Sequence, residues 1–201
     1  DYCLHDSGAR ALVFESVVQE AVNASAQAAN VIRVGVGVVQ DVQANFEDWT
    51  SSSFVPTPQA SAEDMSLMLY TSGTTGKPKG VPRRQRTERI SALAHVAQNQ
   101  YAYGERTLGV MPLYHTMGVR SLLALALVDG LFVCSPKFDA AKALAAIQTE
   151  KLTHLYLVPT LYHELLAQPG FAQTDVSSVR KLGFAGAPMH DALLHRLQDA
   201  F

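Results

Sequence analysis

The feature that most constrains the fold is a regular alternation of apolar runs and helical patterns after residue 64. Short apolar runs predict strands, and stretches with apolar residues at helical spacing separate them. The predicted strands are residues 65–71, 107–111, 131–134, 154–158 and 181–185. Strands that alternate with helices form right-handed crossovers and a mostly parallel sheet covered by helices on both faces. The sequence therefore predicts the α/β class.

The segment before this alternation predicts part of another α/β subdomain. Residues 11–14 and 31–39 are apolar strand candidates, and helical spacing lies between them. From residue 40 to 63 the pattern fades into Asn, Asp, Ser, Thr and two prolines, which is typical of a linker on the surface. We predict a partial first subdomain plus linker at residues 1–60 and a second, truncated subdomain at residues 61–201.

Composition narrows the classes of partner. Hydrophobic residues make up 48% and charged residues 17% of the chain, which is ordinary for a folded globular protein. The net charge of −2 gives no reason to expect nucleic acid or an anionic membrane as a partner. No apolar run is long enough to span a bilayer, and no His or Cys spacing is typical of a metal site. We expect a cytoplasmic protein without nucleic acid, membrane span or metal ligands of its own, and the sequence leaves the oligomeric state open. Cys134 ends an apolar run, which predicts a buried thiol.

Polar or glycine-rich segments follow four of the predicted strands. In a parallel sheet, ligands bind beyond the carboxyl ends of the strands, so these segments are expected at one edge. They are residues 71–80, 112–118, 159–160 and 186–188.

The first of these segments has the chemistry of a phosphate-binding loop. Residues 70–80 read Tyr-Thr-Ser-Gly-Thr-Thr-Gly-Lys-Pro-Lys-Gly. Three glycines allow close approach of the backbone to a ligand, and the loop offers Ser and Thr hydroxyls, amides and two ammonium groups. The spacing of Gly73 and Gly76 excludes the Walker pattern, which needs four residues between the first glycine and Gly-Lys.

These eleven residues resemble, almost letter for letter, the signature loop of adenylate-forming enzymes, which include acyl- and aryl-CoA ligases, luciferases and peptide-synthetase adenylation domains. Residues 111–118 are similar to the Pro-x-x-His-x-x-Gly element of that superfamily, and residues 183–189 to its Gly-Ala-x-Pro turn. The resemblance is strong from residue 65 onward and weaker before it. Benzoate and 4-chlorobenzoate CoA ligases are the members that the chain resembles most.

The resemblance implies a two-step reaction. A carboxylate attacks the α-phosphate of ATP to give an acyl-adenylate and pyrophosphate, and coenzyme A then forms a thioester. The implied cofactors and co-substrates are ATP, Mg²⁺ and coenzyme A, and the other partner is a small carboxylic acid.

The resemblance also implies roles for individual residues. Lys79 and His115 would be catalytic, with His115 acting through its position and bulk rather than as a base. His115, Tyr156 and Ala185 would contact the acid, although Tyr156 is equally well interpreted as a core tyrosine. The implied ATP contacts are Thr71, Ser72, Gly73, Thr74, Thr75, Gly76, Lys77, Lys79, Gly186, Ala187 and Pro188.

The chain begins without Met and ends within a helical pattern, so we expect an internal fragment of the amino-terminal domain of such a ligase, inactive on its own. Two alternatives stay open at this point. One is an adenylation domain of a peptide synthetase, in which a carrier protein accepts the acyl group. The other is a nucleotide- or phosphate-binding module without activity.

Overall fold

A computed structural model describes residues 1–51, 53, 57–72 and 76–201 of the 201-residue chain. The chain divides into two compact units, Asp1–Arg83 and Arg84–Phe201. The sequence analysis instead placed a subdomain boundary at residue 60, and that boundary stays a prediction.

The first unit contains a parallel three-stranded sheet in the order β1-β2-β3. Its strands are β1 (Ala11–Glu15), β2 (Ile32–Val36) and β3 (Ala44–Asn45). Its helices are α1 (Tyr2–Ser7), α2 (Gln19–Asn23) and α3 (Phe46–Thr50), with 3-10 turns at Ser16–Val18 and Ala28–Asn30. Phe14, Val22 and Ala28 form a small buried core.

A separate two-stranded sheet completes the first unit, formed by β4 (Met65–Thr71) and β5 (Lys79–Arg84). Helix α1 is tied to β4, because the Tyr70 hydroxyl donates to Asp6 Oδ2 at 2.8 Å and to the Cys3 carbonyl at 3.3 Å. The strand that leads into the glycine-rich loop is thereby held in place at its end.

The second unit is built on a parallel four-stranded sheet in the order β7-β6-β8-β9. Its strands are β6 (Arg106–Gly109), β7 (Leu131–Cys134), β8 (His154–Leu157) and β9 (Lys181–Phe184). Its helices are α4 (Gln85–Gln98), α5 (Thr116–Leu127), α6 (Ala140–Glu150), α7 (Pro159–Ala167) and α8 (Asp191–Ala200), with a 3-10 turn at Phe171–Gln173.

The core of the second unit joins β6 and β8 to α6 and α7. Ile147, Leu155 and Leu157 are almost fully buried within it. Tyr162 is also buried, and its hydroxyl donates to the carbonyls of Leu155 at 3.0 Å and Gly183 at 2.8 Å. A buried tyrosine hydroxyl needs such partners, and here it bridges two neighbouring strands.

The predicted α/β class with mostly parallel sheets is confirmed, and two local predictions are wrong. The predicted linker at residues 40–63 contains β3 and α3. The Cys134 thiol is exposed rather than buried, because it lies at the last residue of β7 and β7 is an edge strand. Among the described residues, no helix has the length and apolar character needed to cross a bilayer. Location in the cytoplasm stays a prediction.

Candidate functional site

Three of the four predicted segments follow strands of the parallel sheet in the second unit. Residues 112–118 follow β6, residues 159–160 follow β8 and residues 186–188 follow β9. Because β6, β8 and β9 are parallel, their carboxyl ends meet at one edge of the sheet. The fourth segment, residues 71–80, belongs to the first unit, and its place beside the other three stays a prediction.

The segment after β6 is a tight turn that ends in His115. The His115 amide donates to the Pro112 carbonyl at 3.0 Å, and His115 then caps the start of α5 through its own carbonyl, which accepts from Val119. A Cβ added at Gly118 would lie 2.3 Å from the Pro112 carbonyl oxygen, so only glycine fits there. The His115 side chain is exposed and makes no capping hydrogen bond. It is therefore available to a ligand.

The segments after β8 and β9 lie against each other. Gly186 has a φ of 84°, a conformation that favours glycine, and a Cβ added there would lie 3.1 Å from Val158 Cγ1. Ala185 is half-buried, whereas Gly186, Ala187 and Pro188 are exposed. The turn predicted to contact ATP is thus a solvent-accessible backbone surface beside the start of α7.

Tyr156 is the next-to-last residue of β8 and is half-buried. Its ring centroid lies 4.9 Å from that of His95 on α4. On the neighbouring strand it faces Gly183, where an added Cβ would lie 2.9 Å from Tyr156 Cδ2. The partial exposure is compatible with a pocket wall, and the role of Tyr156 stays a prediction.

The sequence analysis missed a buried polar cluster at the opposite, amino-terminal edge of the sheet. Glu105, directly before β6, is 1% exposed and forms an ion pair with Lys181, the first residue of β9. The Glu105 carboxylate also accepts from the Thr153 hydroxyl and from the Ala102 amide at 3.1 Å. His154, the first residue of β8, is 1% exposed, and its Nδ1 lies 3.4 Å from Glu105 Oε2.

The pKa values of Glu105 and His154 are both lowered, but for different reasons. Burial alone would raise the pKa of the Glu105 carboxyl, but hydrogen bonds from Lys181, Thr153 and the Ala102 amide outweigh it and lower the pKa from 4.5 to about 2. Burial lowers the pKa of His154 from 6.5 to about 4, against the opposing effect of Glu105. At neutral pH the cluster therefore holds an ionised carboxylate beside a neutral imidazole.

A sequence signal for this cluster existed in the positions of three polar residues. Glu105 lies two residues before the predicted strand at 107–111, and His154 and Lys181 are the first residues of the predicted strands at 154–158 and 181–185. Only the strand order, which places β8 between β6 and β9, brings them together across 49 to 76 positions of sequence.

In the first unit, the described part of the glycine-rich loop is exposed. Thr71, Ser72, Gly76, Lys77 and Lys79 all face solvent, and Gly76 has a φ of 83°. The ammonium of Lys77 lies 5.9 Å from the centroid of the Tyr2 ring. The other predicted contacts of this loop, Gly73, Thr74 and Thr75, lie outside the described residues.

The exposed loop groups have the chemistry to bind a polyanion. The two lysines supply positive charge, and the backbone amides and hydroxyls supply donors. Among the described residues, no group of three or more His, Cys, Asp or Glu side chains could hold a metal ion.

The whole chain, residues 1–201, matches a family of enzymes described as AMP-binding. It is 36% identical over 146 residues to a 4-chlorobenzoate–CoA ligase from Pseudomonas sp. (strain CBS-3), and this match covers 71% of the chain and 28% of that relative. It is 30% identical over 200 residues to a feruloyl-CoA synthase from Amycolatopsis sp., and this match covers 99% of the chain and 39% of that relative.

Solved structures agree with these similarities. The anthranilate CoA ligase AuaEII in complex with anthranoyl-AMP superposes with a TM-score of 0.85 at 27% identity, covering 99% of the chain and 40% of that structure. The N-terminal domain of FACL13 from Mycobacterium tuberculosis superposes with a TM-score of 0.84 at 26% identity, covering 98% of the chain and 50% of that structure. The chain thus spans about a quarter to two-fifths of the length of the two curated relatives described.

Proposed function

Because the chain belongs to the AMP-binding enzyme family, we propose that the full-length protein that contains it is an AMP-forming acid–CoA ligase. In the first step a carboxylate oxygen attacks the α-phosphorus of ATP, and pyrophosphate leaves. In the second step the sulfur of coenzyme A attacks the acyl carbon of the adenylate, and AMP leaves. The observation that carries the proposal is the match of the whole chain to this family together with its identity to CoA ligases.

The loop at residues 71–80 would hold the β- and γ-phosphates of ATP. The ammonium groups of Lys77 and Lys79 are exposed, and Gly76 has a positive φ of 83°, a conformation that favours glycine. Charge stabilisation of the departing pyrophosphate and positioning of the α-phosphate are the main contributions a protein makes to such a transfer. Lys79 is the first residue of β5, and we assign this charge mainly to it.

Mg²⁺ would arrive with the nucleotide. This ion commonly binds through substrate phosphates and one or two carboxylates rather than through a cage built only of protein ligands. When bound, the ion would neutralise phosphate charge, and the residues of this chain would orient the phosphates.

The acid would bind at the carboxyl edge of the four-stranded sheet. His115, Tyr156 and Ala185 lie on β8 or just beyond β6 and β9, and each is at least partly accessible. The relatives named for 4-chlorobenzoate and ferulate favour an aromatic carboxylate. The turn at Gly186, Ala187 and Pro188 would lie beside the adenine ring.

The test is product analysis with the full-length protein. It is incubated with ATP, Mg²⁺, coenzyme A and a panel of acids comprising 4-chlorobenzoate, ferulate, indoleacetate and a long-chain fatty acid, and products are identified by mass spectrometry. We expect AMP, pyrophosphate and an acyl-CoA thioester, and an acyl-adenylate when coenzyme A is omitted. Formation of ADP, or no adenylate with any acid, would contradict the proposal.

Two further arms separate the alternatives. A phosphopantetheine carrier protein replaces coenzyme A in one, and acyl transfer to the carrier alone would favour a peptide-synthetase role. Residues 1–201 replace the full-length protein in the other. We expect this chain to form no product in catalytic amounts. Phosphate contacts alone would not orient the carboxylate against the α-phosphate, and misplacing the reacting groups by about 1 Å costs about 100-fold in rate.

A further inference from the structure

We propose that His95 and Gly183 fix the position of the Tyr156 ring and thereby help to select the carboxylic acid. This inference rests on the proposed function, in which Tyr156 contacts the acid. His95 and Gly183 would be positioning residues that act through Tyr156 and do not themselves touch the acid.

Gly183 leaves room for the Tyr156 ring on the neighbouring strand. The two residues are direct partners in the pairing of β8 with β9. A Cβ at position 183 would lie 2.9 Å from Tyr156 Cδ2 and 3.5 Å from Cε2. The first distance is shorter than carbon atoms tolerate, and both atoms belong to a rigid ring. Any larger residue at position 183 would therefore displace the tyrosine.

His95 contacts the Tyr156 ring from α4. The ring centroids lie 4.9 Å apart with an interplanar angle of 56°, a tilted packing that aromatic pairs favour. His95 is 7% exposed, so it fills space that would otherwise be open to the ring. The glycine on β9 and the imidazole on α4 together restrict where the Tyr156 ring can lie.

His95 is itself held by hydrogen bonds. Its Nδ1 lies 3.2 Å from Asn99 Nδ2, an amide donor, which assigns the imidazole proton to Nε2 in the neutral form. Nε2 lies 3.3 Å from the Tyr101 hydroxyl and donates to its oxygen. Burial and the charge of Arg120 both lower the pKa of His95, which favours this neutral form. His95 therefore has one orientation.

The support continues to the buried ion pair. The Tyr101 ring packs on the His154 ring with centroids 4.1 Å apart, and the Lys181 ammonium lies 5.6 Å from the Tyr101 ring centroid. Glu105 binds both His154 and Lys181. A chain of direct ring contacts thus links Tyr156 through His95 and Tyr101 to the cluster around Glu105.

The Tyr156 hydroxyl differs from those of the two tyrosines that surround this cluster. The hydroxyl of Tyr162 donates to two carbonyls, and that of Tyr101 accepts from His95. Within the part of the chain that the structure describes, the hydroxyl of Tyr156 has no hydrogen-bond partner. A half-buried aromatic ring whose hydroxyl is not held by the protein is compatible with the wall of a ligand pocket.

The test is a double-mutant cycle in the full-length protein. Variants His95→Leu, His95→Gln, Gly183→Ala and Tyr156→Ala are made, together with Tyr156→Ala combined with each of the first three. We measure kcat and KM for ATP and for a series of ring-substituted benzoates and cinnamates. His163→Leu, an exposed histidine on α7, is the matched control and should leave all constants unchanged.

We expect His95→Leu and Gly183→Ala to change the ratio of kcat/KM between two acids by about tenfold, the effect of a small change in a pocket wall. The KM for ATP should stay within about twofold of wild type, because these substitutions should not alter how the protein binds the nucleotide. His95→Gln should restore part of the wild-type preference, because glutamine can hydrogen-bond to Tyr101. In the Tyr156→Ala background none of these substitutions should alter acid preference further.

Two outcomes would overturn the inference while leaving the ligase function intact. One is that His95→Leu and Gly183→Ala lower kcat/KM equally for every acid. The other is that His95→Leu changes acid preference as much in the Tyr156→Ala background as in the wild type. A wild-type protein that forms no adenylate with any acid would instead remove the proposed function and this inference together. If His95→Leu does not fold, Gly183→Ala gives the same test through the contact of β9 with the Tyr156 ring.

Discussion

The Glu105 carboxylate and the Lys181 ammonium form an ion pair that joins the amino-terminal ends of β6 and β9 across the intervening strand β8. Glu105 is completely buried, whereas the Lys181 side chain keeps 27% of its surface exposed. The Thr153 hydroxyl and the Ala102 amide complete the hydrogen bonds of the carboxylate. Its charge is therefore compensated only as long as Lys181 is present.

Replacing Lys181 by Met should destabilise the second unit. The substitution leaves the buried carboxylate unpaired, which costs roughly 3 kcal/mol, the lower end of the range for buried pairs because the lysine is partly exposed. The measurement is hydrogen–deuterium exchange of the β6, β8 and β9 amides, which reports the free energy of opening for this sheet.

Lys151→Met is the matched control. Lys151 pairs with Asp175 at 3.0 Å, but both side chains are at least half exposed, so the loss of this pair should leave exchange nearly unchanged. Equal protection of the β6, β8 and β9 amides in both variants would show that the Glu105–Lys181 pair does not stabilise the sheet.

Stability should rise with pH between about 4 and 6.5, in part because of His154. Its pKa is lowered from 6.5 in the unfolded chain to about 4 in the folded protein, so the unfolded state binds more protons across this interval. The stabilisation is fully present above pH 6.5 and is lost as pH falls toward 4. Glu105, Lys181 and His95 are the charged or titratable groups that act on it.

The measurement is the free energy of unfolding at several pH values for wild type, His154→Gln and the exposed control His163→Gln. We expect the slope between pH 4 and 6.5 to decrease in His154→Gln, by at most about 1.4 kcal/mol per pH unit for one proton. The control should keep the wild-type slope. An unchanged slope in His154→Gln would mean that His154 titrates normally in the folded protein.

Replacing His115 by Ala should change acid preference without affecting ATP. The side chain is exposed at the carboxyl edge of the sheet and makes no capping hydrogen bond, so its removal leaves α5 intact. We expect the ratio of kcat/KM between benzoate-like and aliphatic acids to shift, with the KM for ATP nearly unchanged. His195→Ala, an exposed histidine on α8, serves as the control. Collapse of ATP affinity with constant acid preference would assign His115 to the nucleotide instead.

The parts of the fold that depend on local pattern were predictable from the sequence. The bounds of β4 and β7 agree with the apolar runs at residues 65–71 and 131–134, because a short apolar run favours a strand. Asp139 caps the start of α6, since its carboxylate accepts from the Lys142 amide at 2.9 Å, and aspartate is a residue type that favours this position.

Features that depend on distant residues were not predictable. Strand β3 has two residues and helix α3 has five, too few for a periodic pattern, so residues 40–63 resembled a linker. The cluster around Glu105 requires the strand order β6-β8-β9, which no local pattern encodes. The contact of His95 with Tyr156 likewise joins residues 61 positions apart through the packing of α4 on the sheet.

Gly76→Ala should impair the phosphate loop by straining its backbone. Gly76 has a φ of 83°, and no described residue lies within 4 Å of an added Cβ, so the methyl group acts mainly by forcing an unfavourable backbone conformation. We expect weaker ATP binding and slower adenylate formation in the full-length protein, measured with a saturating acid. Gly104→Ala, at a φ of 76° in the turn before β6, controls for strain alone and should leave ATP binding unchanged. Equal effects of the two substitutions would show that the loop has no special role.

ATP–pyrophosphate exchange by a Lys79→Ala variant tests the phosphate site most directly. Exchange requires only the first half-reaction, so it isolates adenylate formation from transfer to coenzyme A. We predict that Lys79→Ala lowers the exchange rate of the full-length protein at least about tenfold, equivalent to about 1.4 kcal/mol of barrier. Lys137→Ala, which removes an exposed lysine in the second unit, should exchange at the wild-type rate. Wild-type exchange by Lys79→Ala would contradict the assignment of residues 71–80 as the site that holds the phosphates of ATP.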